Sequence, residues 1–201
     1  NFEKYFKIPL DLGAVPIKQG CFTNEFSKNQ IIQKKEKDKI IKPLFELSEE
    51  HLERGKREIK KIFGIGEKDW FVTVHVRSGK LKSDQEMASY RNSSINKFIK
   101  SMKLIVQSGG YVFRMGNPKM EKLPKIEGVI DYANHKERND FWDIYLGAKS
   151  KFHLGTSSGY YVVPDFFDVP NLISETTEVI PLLGMKKYDL YLPRLIKDNK
   201  T

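Results

Sequence analysis

Trp70-Phe-Val-Thr-Val-His-Val-Arg77 limits the fold of this chain more than any other stretch. Residues 70–76 are almost all aromatic or β-branched, and polar loop residues bound the run. Such a pattern reads as a short strand buried on both faces, which is the environment of a parallel sheet covered by helices. Side chains alternate along a strand, so His75 and Arg77 are expected on one side at its carboxyl end. In open α/β sheets that end is where ligands sit. An imidazole and a guanidinium aimed at the same rim point to an anionic ligand.

The rest of the chain alternates accordingly. Ser48 caps a helix through Phe63, with Glu49 and Glu50 in its first turn and Gly64 at its end. The stretch Arg77–Tyr90 is a long polar loop, and loops of this length in α/β units are commonly functional. Asn92 or Ser93 opens a second helix, whose buried face is Ile95, Phe98, Ile99, Met102, Ile105 and Val106. Strands are expected at Tyr111–Met115, Gly128–Tyr132, Lys151–Gly155 and Asn171–Ser174. Helices fall between the third and fourth of the five strands, from Lys136–Asp140 to about Ser150, and between the fourth and fifth, after Gly159. This order predicts an α/β fold, a Rossmann-like parallel sheet with helices on both faces. Residues 1–66 read as a partly irregular N-terminal segment and linker helix, 67–180 as the sheet domain, and 181–201 as a wrapping C-terminal extension. Within the first segment, the Lys-rich piece Gln30–Lys42 reads as a solvated linker.

Charge and composition narrow the function classes. The net charge is +9, but of 35 basic residues only seven are Arg, and acidic residues are interleaved with the Lys throughout. A nucleic-acid stripe is usually more one-sided, so no nucleic-acid partner is expected. Arg carries the planar fork that matches phosphate and carboxylate, so Arg77, Arg91 and Arg114 near strand ends stand out. One cysteine, Cys21, allows no internal disulfide and fits a reducing, cytoplasmic location. No apolar run approaches the ~20 residues of a membrane span. The four histidines lack metal-ligand spacing, so no metal is expected. The chain opens at Asn1 rather than Met, which leaves room for an upstream segment.

Thr156-Ser157-Ser158-Gly159 lies between a strand and a helix. Free N–H groups of a helix start, three hydroxyls and a glycine make a phosphate cradle. With His75, Arg77 and Arg114 at neighbouring strand ends, the expected guest is a diphosphate. Asp131 ends the third strand and is a candidate for a ribose or base contact, and Asp84 in the long loop is a candidate for the reacting centre.

Four of these motifs together resemble a known family. They are His75-Val-Arg77, Val112-Phe-Arg-Met-Gly116, Val129-Ile-Asp-Tyr-Ala133, and Phe152-His-Leu-Gly-Thr-Ser-Ser-Gly159 followed by Val163-Pro and Val169-Pro. The set resembles a bacterial glycosyltransferase family and, more distantly, the GDP-fucose-dependent fucosyltransferases. The resemblance covers residues 70–175. It implies the donor domain of a two-domain GT-B enzyme that moves a sugar from a nucleoside-diphosphate sugar to an acceptor hydroxyl without a required metal or other cofactor. It also implies that His75, Arg77, Thr156, Ser157, Ser158 and Gly159 contact the donor diphosphate, with Arg114 beside them, and that Asp131 and Tyr132 lie near the nucleoside. The catalytic candidates are His75, Arg77 and Asp84. The acceptor, a glycan, a lipid-linked sugar or another hydroxyl compound, is not specified. Ser78-Gly79-Lys80 departs from the second Arg and nearby Asp of the fucosyltransferase pattern. A non-catalytic nucleotide- or phosphosugar-binding module is the alternative.

Overall fold

A computed structural model of the protein describes residues 43, 45–78, 86–176, 186 and 188–194, with a short antiparallel pair, β1 (Pro16–Ile17) and β2 (Gly20–Cys21). Gln30–Lys42 and Asp84 lie outside the described residues. The chain divides into two compact units. One comprises 1–42 and 179–184 and contains the β1–β2 pair; the other comprises 43–178 and 185–201 and contains the sheet.

The sheet unit opens with α1 (Glu49–Phe63). Ser48 Oγ accepts from His51 N, and Gly64 closes the helix at φ 74°. Both ends therefore satisfy backbone groups that the helix itself leaves free. β3 (Phe71–His75) follows, and Val72 and Val74 have no exposed surface. After a 3-10 turn at Ile95–Phe98, capped by Ser94 rather than Asn92 or Ser93, come α2 (Ile99–Gln107) and β4 (Tyr111–Arg114). β5 (Val129–Ile130) is only two residues long. Asn139 caps α3 (Asp140–Lys149), which leads to β6 (His153–Gly155). A 3-10 turn, Gly159–Tyr161, runs into α4 (Val162–Phe166) and then β7 (Asn171–Thr176). β8 (Leu190–Pro193) completes the sheet.

All six strands of this sheet are parallel, in the order β5-β4-β3-β6-β7-β8. Counted from β3 this is 3-2-1-4-5-6, the doubly wound Rossmann order. The sixth strand was not expected; the sequence suggested only a tail there. β8 is an edge strand whose Leu190 and Leu192 are 60% and 59% exposed, so no buried alternation marks it. Its Pro193 sits at the strand end on the edge, where a missing N–H is tolerated.

Two cores lie on opposite faces. On one, Ile59, Ile62 and Phe63 of α1 and Trp142, Tyr145 and Leu146 of α3 pack with Phe71, Phe113 and Met115. α1 is thus part of the sheet's own core rather than a separate linker. On the other face, Ile95, Phe98, Met102 and Ile105 cover Val72, Val74 and Val112. With helices on both faces, β3 is sealed, which is why its sequence is apolar or β-branched up to His75.

Gly155 marks the tightest approach between β6 and β3. A Cβ there would collide with the carbonyl oxygen of His75 and come within 2.8 Å of His153 Nε2. The first obstacle is backbone and cannot rotate away. Gly155→Ala is expected to destabilise the fold by about 1–3 kcal/mol, measured as a lower denaturant midpoint at unchanged slope.

Candidate functional site

The order reverses between β3 and β6: β3 runs on to α2 and β4 on one side, and β6 runs on to β7 on the other. In doubly wound sheets the ligand crevice opens at this switch point, outside the carboxyl ends of the strands. Here the two ends are tied together by three hydrogen bonds. Thr156 N donates to His75 O at 3.1 Å, Arg77 N donates to Thr156 Oγ1 at 3.0 Å, and His75 Nδ1 and Ser158 Oγ lie 2.8 Å apart. Arg91, noted in the sequence but given no role, donates from Nη2 to Ser157 O at 3.1 Å and to its Oγ at 3.3 Å.

The structure therefore brings His75, Arg77 and the Thr-Ser-Ser turn together, as the motifs suggested, but it uses the hydroxyls differently. Thr156, Ser157 and Ser158 are buried, each engaged by a neighbour, and none lines either of the two clefts that flank them. The helix that follows, α4, has five residues after its 3-10 turn. Such a helix offers little macrodipole to an anion. Gly159 is exposed and would accept a Cβ without contact, so close packing does not explain it.

Two clefts flank this lock. The first, about 490 Å³, lies on the α2 face, and Ser78, Ser93, Ser94, Lys97 and Arg194 are among its walls. Arg194, just past β8, donates to Tyr90 O and Asn92 O at 3.0 Å each. Lys97 and Arg194 both reach Glu175, at 2.5 and 3.3 Å. The bond from Lys97 is the main reason the Glu175 carboxyl is held below its usual range. Arg77 Nε donates to Asn92 Oδ1 at 3.1 Å, and Asn92 is a wall of this cleft. His75 lines the other cleft instead. β3 ends at His75, so strand alternation no longer fixes the side of Arg77, which walls neither cleft itself.

The second cleft, about 350 Å³, lies on the α3 face and is walled by His75, Asn117, Arg138, Asp143 and Tyr160. Arg138 donates from Nε to Gly116 O at 3.1 Å and from Nη2 to Asp143 Oδ2 at 3.0 Å. Tyr160 OH donates to Asp143 O at 3.1 Å, and its ring stacks on His75 with centroids 5.6 Å apart. Burial, followed by the guanidiniums of Arg114 and Arg77, pushes His75 down to about 4. The imidazole is neutral at physiological pH. Burial raises Asp143, against the pull of Arg138.

Three expected site residues, Arg114, Asp131 and Tyr132, are engaged within the fold, and of these Arg114 is also a wall of the first cleft. Arg114 pairs with Val74 in the sheet register and is 2% exposed. Its Nη1 meets Asp131 Oδ1 at 2.8 Å. Asp131 Oδ2 accepts from Leu123 N at 3.1 Å and Asn134 Nδ2 at 2.8 Å, which fills the carboxylate intended for a nucleoside. Tyr132 has no exposed surface. Its OH donates to Asn139 O and accepts from Asn139 N, both at 3.1 Å, and burial raises its hydroxyl pKa. It is core, not ligand contact.

Lys97, Arg138, Asp143, Tyr160 and Arg194 were not expected at the rim. Position in the first helical turns after a strand end was the available signal for Lys97, and for Asp143 at the start of α3. Arg194 had none, because β8 itself was invisible.

Comparison of the chain with protein-family models, with curated proteins and with solved structures finds no match. Among the described residues no helix is long and apolar enough to cross a membrane, and no three His, Cys, Asp or Glu are grouped to hold a metal ion.

Removing one partner of a buried ion pair strands the other charge. Asp131→Ala is therefore expected to cost about 3 kcal/mol of stability, read from denaturant unfolding. Arg114→Met should lose a similar amount, with the double variant losing less than the sum of the two. Acid should also weaken the fold in a defined window. An unfolded histidine titrates near its ordinary 6.5 and His75 near 4, so the unfolded state holds the extra proton between those values. Stability is full above pH 6.5 and falls as pH drops toward 4. His75→Gln should flatten that slope by roughly 1 kcal/mol per pH unit. His153, pushed down to about 3 chiefly by burial, keeps a slope of the same sign in the variant.

Proposed function

We propose that the sheet unit binds the diphosphate of a nucleoside-diphosphate sugar in the first cleft and acts as the donor-binding part of a glycosyltransferase. One observation carries this reading: a cleft with Lys97, Arg114 and Arg194 among its walls, and Glu121 as its acidic wall, opens beside the switch point of a 3-2-1-4-5-6 sheet, where such folds hold nucleotides. Lys97 and Arg194 supply the charge, and Arg77 stands beside them through Asn92. Glu175 holds the first two in place when no phosphate is bound and yields them to a stronger anion. The His75–Ser158 and Arg77–Thr156 bonds fix the rim on which the ligand rests.

In the transfer itself, the acceptor hydroxyl oxygen bonds to the anomeric carbon of the sugar. The bond from that carbon to the terminal phosphate oxygen breaks, and its electron pair stays on the phosphate. The hydroxyl proton passes to a base. Charge growing on the departing diphosphate is what Lys97, Arg194 and Arg77 are positioned to stabilise, and preorganised stabilisation of this kind is commonly the largest catalytic effect. The motif resemblance of residues 70–175 supports the same class of reaction.

Calorimetry with GDP, UDP, ADP and CDP tests this. At least one should bind, and Lys97→Ala and Arg194→Ala should each weaken it about ten-fold, the worth of one charge-assisted hydrogen bond. No binding by any of the four sinks the proposal. Binding with neither donor hydrolysis nor sugar transfer to any acceptor would identify a non-catalytic nucleotide module.

A further inference from the structure

The second cleft lies across β3 from the first, and its chemistry is of another kind. Its charges cancel: Arg138 is paired with Asp143, and His75 is uncharged. A phosphate here would meet a carboxylate and a guanidinium already in use. What the cleft offers instead is a mixed set of hydrogen-bonding groups. Arg138 has two of its nitrogens engaged by Gly116 O and Asp143, and Nη1 has no partner among the described residues. Asn117 uses its Oδ1 on Lys119 N and keeps its amide nitrogen. His75 uses Nδ1 on Ser158, which leaves Nε2 without a partner among the described residues. Groups that both donate and accept, as hydroxyls do, fit such walls.

The aromatic wall is already in use. Tyr160 stacks on His75 and tilts against His153, with centroids at 5.6 and 5.5 Å, and its OH is bound to Asp143 O. His75 walls the second cleft and Val76, the next residue, walls the first, so the two clefts meet at adjacent residues at the end of β3, and a group joined to the terminal phosphate can pass from one to the other.

We infer that the second cleft binds the glycosyl group of the nucleoside-diphosphate sugar, with Arg138, Asp143 and Asn117 bonding its hydroxyls and His75 beside the sugar–phosphate bond. This rests on the donor-diphosphate reading of the first cleft. It makes Arg138 and Asp143 the residues that set sugar specificity.

The test compares each diphosphate with its sugar conjugates by calorimetry on the full chain. The probes are GDP with GDP-fucose and GDP-mannose, and UDP with UDP-glucose, UDP-galactose and UDP-N-acetylglucosamine. Arg138→Met, Asp143→Asn and the surface change Asn117→Ala are each measured, with melting temperature as the check on folding. The expected result is that the variants weaken at least one sugar conjugate about five-fold while the affinity for the bare diphosphate stays within about two-fold. Equal losses for diphosphate and conjugate would assign the cleft to the nucleoside and overturn the inference. Unchanged affinities across the panel in folded variants would overturn it as well. Failure of the unaltered protein to bind any of GDP, UDP, ADP and CDP would remove the diphosphate reading first, and this inference with it; binding of ADP or CDP alone would overturn this inference only.

Discussion

The structure depends on the junction where the carboxyl ends of β3 and β6 meet. Backbone and side chain alternate in closing it: the Thr156 amide on the His75 carbonyl, the Arg77 amide on the Thr156 hydroxyl, the His75 ring on the Ser158 hydroxyl. Thr156 and Ser158 are buried, so an unmade bond would leave a buried polar group without a partner, and such groups are costly. A junction of this kind has few alternative arrangements. It fixes where the sheet changes direction and holds the two clefts at a constant offset.

Much of this was legible from the residues alone, for identifiable reasons. β3 and α2 announced themselves because burial on both faces demands an unbroken apolar strand, and a half-buried helix demands a periodic stripe. Ser48 and Gly64 marked the ends of α1 because their chemistry has few other uses. Grouping His75, Arg77 and the Thr-Ser-Ser turn at one rim followed from strand direction alone. The roles inside that group did not follow. Nothing in a linear string says whether Ser157 meets a ligand or Arg91. Nor does it say that Arg114 finds Asp131 seventeen residues on. β8 escaped because an exposed edge strand has no pattern to recognise, and Arg194 escaped with it.

Arg114 shows how charge can mislead. A guanidinium at a strand end beside other cations reads as a phosphate ligand. Here it is a buried wall of the first cleft, neutralised by a carboxylate that three donors hold. Its positive charge still matters, since burial first, and then Arg114 and Arg77, keep His75 from taking up a proton. The pair thus shapes the electrostatics of the rim from within its wall.

One wall of the first cleft comes from beyond β8, 104 residues along the chain from Tyr90. Arg194 follows β8 and reaches back to the carbonyls of Tyr90 and Asn92, which precede α2. A chain cut before β8 would keep the β5-β4-β3-β6-β7 pairings and lose this wall of the cleft.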